Sequence, residues 1–354
     1  MSPMQTLPGD AAALTPEFLS GALGTEVTAV EVLDHAFATN QRAKIALTYA
    51  EAGAGPATLF AKLAPLDPGH RQMIGATGMA EREAQFYVDV APTAAPVLAP
   101  RAHYAATGAD DTFVILLEDL SVRDCRFAAH GEWGIPADAA AGALEDLAAF
   151  HGRFADPATR DAVAPWLAQP RPSMSGATAQ LMRMVLDAHG DELDPAYAEV
   201  GELYVEHHAA MDALWNDGYP TYVHGDPHIG NVYLDGDRVG FLDWGLSRVA
   251  TPLRDVSYFL TMSVEPDDRR AHERDLWTTY LAALRAAGGP DIGFDEAWLA
   301  HRVQASYTVV ATFLAFMPSY ATADGRALGG ALRARANQAL ADLQVVDALR
   351  AALA

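Results

Sequence analysis

Apolar and polar positions alternate with a period of two through much of the first third of the chain, and with a helical period after it. Ala43, Ile45, Leu47 and Tyr49 fall on one side of an extended segment, with Arg42, Lys44 and Thr48 on the other, the pattern of a half-buried strand. Runs at 27–33 and 58–63 read as two more strands. The turn at 51–56, carrying Gly53, Gly55 and Pro56, suits an antiparallel connection. Thr15-Pro16-Glu17 predicts a helix start, with a capping hydroxyl and a proline at the first helical position, and an end near Gly24. A helical segment at 79–90 and strands at 102–106 and 113–117 complete a region of sheet with one helix over about 25–120.

Beyond Leu120 the period becomes helical, at 137–154, 178–188 and 196–216. Three short strands then interrupt it, at 219–223, 232–234 and 239–242, the last two joined by the hairpin signal Asp235-Gly236-Asp237. Helices resume at Pro252 and run to the C-terminus. The expectation is an α+β chain: a small antiparallel-sheet region over 1–120, then a larger, mainly helical region over 121–354.

Composition acts mainly by exclusion. Hydrophobic residues make up 51% of the 354 positions and charged ones 20%, a balance that buries a core. A net charge of −22, with no Lys/Arg cluster, argues against nucleic-acid partners and anionic membrane surfaces. A single cysteine, Cys125, forms no internal disulfide and no thiolate metal cluster. The first thirteen residues lack the basic and apolar regions of a signal peptide, and the greasiest stretch, 309–317, stops at Pro318. A cytoplasmic protein is expected.

The densest polar chemistry lies in the short-strand island. His224-Gly225-Asp226-Pro227-His228-Ile229-Gly230-Asn231 precedes one hairpin, and Asp243-Trp244-Gly245 follows it. The hairpin returns the chain on itself, so Asp243 is expected to face Asn231. Amide and carboxylate oxygens there suit Mg²⁺, which leaves Asp226 to accept a proton from a substrate hydroxyl.

His-Gly-Asp-x-x-x-x-Asn followed by Asp-Trp-Gly resembles the aminoglycoside phosphotransferase and choline kinase superfamily, with the bacterial ecdysteroid-kinase-like phosphotransferases the closer impression. The resemblance covers most of the chain and implies a protein-kinase-like two-lobe fold, with the catalytic loop at 222–231 and the metal-binding segment at 241–245 in the second lobe. It implies that Asp226 is the catalytic acid–base residue and that Asn231 and Asp243 hold Mg²⁺. Lys62, in Phe60-Ala61-Lys62-Leu63, is then the anchor of the ATP phosphates. Glu83, in Glu81-Arg82-Glu83-Ala84-Gln85-Phe86-Tyr87, becomes its ion-pair partner, with Glu81 as the alternative. Glu118, Asp119 and Leu120 stand where the hinge meets the adenine. Asp255 of Arg254-Asp255-Val256-Ser257-Tyr258 matches a structural aspartate.

The implied activity is transfer of the γ-phosphoryl group of ATP to a hydroxyl of a small molecule, with a nucleotide-binding pseudokinase or sensor as the alternative. One departure favours the alternative: the turn between the first two strands, 35–42, contains no glycine. Thr39 and Asn40 could supply side-chain donors there instead. His224 is read as holding the loop by hydrogen bonds, His151 as structural, and Arg248 as a phosphate clamp or a surface residue. The acceptor region falls on the C-terminal helices. Trp277, Tyr280, Tyr307, Phe313, Phe316, Met317 and Tyr320 favour an apolar alcohol if several face the cleft, whereas Asp187, Asp191, Glu192 and Asp194 favour a cationic one.

Overall fold

The computed structural model describes residues 7–37, 40–169, 173–316 and 323–354. Thr39, Met317 and Tyr320 lie outside the described residues. The chain divides into two compact units, one running to Cys125 and including Asp243–Ser247, the other comprising Arg126–Leu242 and Arg248–Ala354. The segment 241–245 is therefore shared: Phe241 and Leu242 belong to the second unit and Asp243 onward to the first.

In the first unit, helix α1 (Pro16–Leu23) starts where Thr15 Oγ1 accepts the Phe18 N–H and stops at Gly24, whose φ of 69° suits glycine. Strands β1 (Val27–Phe37), β2 (Gln41–Tyr49) and β3 (Thr58–Leu63) follow. Then come helices α2 (Pro68–Thr77) and α3 (Met79–Gln85) and strands β4 (Ala102–Thr107) and β5 (Phe113–Glu118). The five strands pair antiparallel in the order β1-β2-β3-β5-β4. Ala43, Ile45 and Leu47 of β2, Leu59, Ala61 and Leu63 of β3, and Val114 and Leu116 of β5 share one face. They pack there with Leu14, Leu19 and Val27 as one core cluster. Burying each large aliphatic side chain contributes roughly 1.5–3 kcal/mol.

Strand β6 (Cys125–Phe127) begins on the last residue of the first unit and continues into the second, which then carries α4 (Ala137–Arg153), α5 (Pro157–Val163), α6 (Ser175–His189) and α7 (Pro195–Asn216). Strands β7 (Thr221–Val223), β8 (Val232–Asp235), β9 (Arg238–Phe241) and β10 (Arg248–Ala250) come next, followed by α8 (Pro252–Met262), α9 (Pro266–Ala286), α10 (Phe294–Gln304), α11 (Tyr307–Thr312), α12 (Ala323–Asp342) and α13 (Val345–Leu353). Every residue of α8 is buried, so the other helices pack around it on all sides. Some of its polar side chains are partnered: Ser257 Oγ meets His301 Nδ1 at 2.8 Å, and His301 Nε2 meets Glu273 on α9 at 2.9 Å. Glu273 in turn accepts from Arg269, which also reaches Asp342. No helix among the described residues is long and apolar enough to cross a membrane.

Candidate functional site

Lys62 lies on β3, opposite Arg42 of β2 and Ile115 of β5. Alternation sends Ala61 and Leu63 to the core, so Lys62 projects from the other face of the sheet. Its ammonium is buried and donates to both oxygens of Glu83 on α3, at 2.7 and 2.6 Å, with Asp243 Oδ2 at 3.4 Å. Glu81 is exposed and accepts from Gln85 instead. Burial works against the Lys62 charge, but Asp243 and Glu83 outweigh it and raise its pKa. Burial likewise pushes Glu83 up, to about 7, against the pull of Lys62 and with a push from Asp243.

Asp243 is held beside Lys62 by its neighbours. After α3 the chain widens into a π-helical turn, Phe86–Val90, and the Phe86 ring stacks on Trp244 with centroids 3.9 Å apart and planes 6° from parallel. At Gly245 a Cβ would lie 3.2 Å from both Met79 Cβ and the Met79 carbonyl oxygen, so a small residue lets the segment approach α3. Asp243 itself adopts φ 58°, ψ 68°, a left-handed conformation costing a non-glycine residue about 1 kcal/mol or more. The acid is fixed by packing at the expense of backbone strain.

The other nucleotide candidates of this unit lie at the two ends of the sheet. Asn40 stands in the β1–β2 turn, its Oδ1 buried without a hydrogen-bond partner. Glu118, Asp119 and Leu120 close β5. The Glu118 N–H is committed to the Arg101 carbonyl at 2.8 Å, and the Asp119 and Leu120 carbonyls accept from Val122 and Arg123, which narrows what the hinge backbone offers to a base. Asp119 pairs with Lys44 at 2.9 Å and accepts from Ser121. Although burial pushes its carboxyl up, those bonds pull it down to about 2. An open cavity of about 820 Å³ adjoins this end of the sheet, lined by Tyr49, Arg101, His103, Glu118 and Asp119 and not by Lys62.

In the second unit the loop after β7 is organised by Asp255 of α8. Its carboxylate accepts the N–H groups of His224, at 2.5 Å, and Gly225, at 2.8 Å. It also meets His151 Nε2 at 3.3 Å, while His151 Nδ1 contacts the Tyr280 hydroxyl at 2.9 Å. Burial would raise the Asp255 pKa, but the imidazoles and the N–H bonds hold it below the ordinary value. Gly225 sits at φ 86°, a conformation that favours glycine at this bend. His224 Nδ1 accepts the Asp226 N–H, so Nε2 carries the proton donated to the Leu242 carbonyl at 2.8 Å. His224 therefore braces the loop through both ring nitrogens.

Asp226 and Asn231 come together in this loop. Asn231 Nδ2 donates to the Asp226 carbonyl at 3.1 Å and to its Oδ2 at 2.9 Å. His228 Nδ1 is occupied by the Gly230 N–H, with its Nε2 3.6 Å from Asp226. Both histidines thus spend a nitrogen on backbone, and no group of three or more His, Cys, Asp or Glu able to hold a metal ion occurs among the described residues. The Leu242 N–H closes the hairpin on the Asn231 carbonyl at 2.8 Å, and Asp243 is the next residue in the chain.

Tyr258 has no role that the sequence pattern marks, yet its buried hydroxyl hydrogen-bonds Asp226. Burial and the Asp226 charge keep that phenol protonated, as a donor. The signal available was its place one helical turn after Arg254-Asp255. The acceptor expectations change too. Trp277, Tyr280 and Phe313 are core residues. Asp187 pairs with Arg183, Glu192 with His189, and Asp194 caps α7, so three of the four acids have local work.

Comparison with known proteins bears on the fold and the family. No curated protein sequence matches. Among solved structures, a candidate aminoglycoside phosphotransferase from Ralstonia eutropha aligns with TM-score 0.55 at 16% identity, over 95% of this chain and 98% of that one. Choline kinase from Cryptosporidium parvum aligns with TM-score 0.52 at 9% identity, over 89% and 91% of the two chains. The amicoumacin kinase hAmiN, solved with AMP-PNP, Ca²⁺ and Ami, aligns with TM-score 0.52 at 14% identity, over 91% and 92%. These likenesses establish the kinase-like α+β fold. The ecdysteroid kinase-like family model matches residues 33–288, more than half of the chain, and the protein belongs to that family.

Proposed function

We propose that the protein is a small-molecule kinase that transfers the γ-phosphoryl group of ATP to a substrate hydroxyl. The observation that carries this reading is the buried Lys62 ammonium, held by both oxygens of Glu83 with Asp243 3.4 Å away. A cation buried in a fixed position is costly to retain for stability alone and well suited to phosphate oxygens. The nucleotide bound by hAmiN, of the same fold, lends support.

In this assignment Lys62, kept straight by Glu83, anchors the α- and β-phosphates. Asp226 orients the acceptor and takes its hydroxyl proton as the new O–P bond forms; the bond from the γ-phosphorus to the bridging oxygen breaks, and ADP leaves with the electron pair. Asn231 spends its amide N–H on Asp226; its amide oxygen and the Asp243 carboxylate are hard donors of the kind that suits Mg²⁺. Mg²⁺, when bound, supplies neutralisation of the phosphate charge. Asn40 takes a phosphate-side position, as would Thr39, and the chain from Glu118 to Leu120 takes the base.

The test combines calorimetric binding of ATP with Mg²⁺ and a panel of hydroxyl compounds assayed for phosphorylation. Asp226→Asn is expected to lower transfer by about 10²-fold or more while nucleotide binding survives; near-normal transfer contradicts the assignment. The glycine-free turn at 35–42 favours a second reading, a nucleotide sensor, and binding without transfer across the whole panel selects it.

A further inference from the structure

Arg254, in the first turn of α8, is 3% exposed, yet its Nε and Nη1 are buried without any hydrogen-bond acceptor. The guanidinium lies 3.9 Å over the Tyr307 ring, Tyr307 packs edge-on against Tyr258 with centroids 5.4 Å apart, and Tyr258 hydrogen-bonds Asp226. Arg248 approaches from β10, which pairs it with Val223, the residue before His224. Burial and the neighbouring Arg254 lower the Arg248 pKa to about 10. Asp212, Asp255 and the Tyr307 hydroxyl face this pair, but the Asp255 oxygens serve His224, Gly225 and His151, and Asp212 already accepts from Asn216. The N-terminal turn of a helix is also the wrong end for a cation. Two arginines therefore converge, one with unused buried donors, beside the residue that contacts Asp226.

We propose that the acceptor alcohol carries an anionic group, a carboxylate or phosphate, and that Arg254, with Arg248 beside it, holds that group while the hydroxyl meets Asp226. This rests on the phosphotransferase reading above. The guanidinium is backed by an aromatic ring, and an oxyanion that meets its Nε or its Nη1 N–H relieves the repulsion between the arginines and an unmet donor. The acceptor class becomes a hydroxy acid or an alcohol already bearing phosphate, in place of a neutral apolar alcohol or an aminoglycoside.

The wild-type protein, with ATP and Mg²⁺, is offered hydroxy acids, their primary amides and the matching amino alcohols on the same carbon skeletons, with inorganic phosphate added separately as a competitor. The expected result is a kcat/KM about tenfold or more higher for the acids than for the amides. Phosphate should compete with the alcohol and not with ATP. In Arg254→Gln the preference falls to roughly twofold or less, Arg254→Lys retains part of it, and the dissociation constant for ATP with Mg²⁺ stays unchanged in both. Equal use of acid and amide by the wild type, or preference for the amine, overturns the proposal. So does competition by phosphate without a preference for acids, which would mean that the site takes free phosphate. If no alcohol is phosphorylated, the kinase reading fails separately. Saturable thermal stabilisation by sulfate, present in the wild type and lost in Arg254→Gln, then supports the anion site, and its absence overturns it.

Discussion

Asp255 in the second unit and Lys62 in the first are both buried charges, but their surroundings differ in what they leave unfinished. The Asp255 oxygens are taken by two backbone N–H groups and an imidazole, and its charge is stabilised below the ordinary carboxyl value. Lys62 is faced by two carboxylates, one raised to about 7 and the other on a strained residue. A cluster whose donors and acceptors all match holds a loop in shape. A cluster that keeps an excess of acid around one ammonium, at the cost of a raised pKa and a left-handed backbone, has been built for something else to bind.

Four measurements test that contrast. The largest effect is expected from Asp255→Ala, which leaves the His224 and Gly225 N–H groups and His151 without their acceptor. Stability should fall by about 3–5 kcal/mol in urea unfolding; a loss under about 1 kcal/mol would remove Asp255 from its structural role. Next is pH. Glu83 titrates near 7 in the folded protein against an ordinary 4.5, so folding favours its protonated form. The stabilisation is complete below pH 4.5 and is lost as the pH rises through 7, a change of about 3 kcal/mol that Glu83→Gln should flatten.

Asp119, in the same unit, behaves oppositely. Its folded value of about 2 lies below the ordinary 3.8, so its contribution of about 2 kcal/mol is present above pH 3.8 and lost as the pH falls through 2. Acid unfolding of Asp119→Asn should lack that component. The smallest effect belongs to Lys62→Met, which roughly conserves volume and lets Glu83 keep its proton: less than about 1.5 kcal/mol in urea. A loss as large as that of Asp255→Ala would make Lys62 a structural charge as well.

The two regions also differed in how much of them could be read from the sequence. The alternation of Ala43, Ile45 and Leu47 located β2 because one face of an antiparallel sheet is buried and the other is not. Helix α2 went unread: Gly69, Gly75 and Gly78 interrupt its pattern, and it buries only Ile74. In the site, the Asp226–Asn231 loop follows from a short spacing, whereas the Lys62–Glu83 contact, across 21 residues, was legible only through the family resemblance of its two motifs. The contacts of Asp255 with His151, 104 residues away, and of Arg254 with Tyr307 depend on helix packing that no local pattern encodes. Arg254 looks like an ordinary helix-start charge until the burial of α8 is known.

The central claim, that the Lys62 cluster is a nucleotide-phosphate site, is tested most directly by titrating ATP with Mg²⁺ into the wild-type and Lys62→Met proteins by calorimetry. The account predicts saturable binding to the wild type and about tenfold or more weaker binding to Lys62→Met at nearly unchanged stability. Equal dissociation constants for the two proteins, or no binding to the wild type, would contradict it.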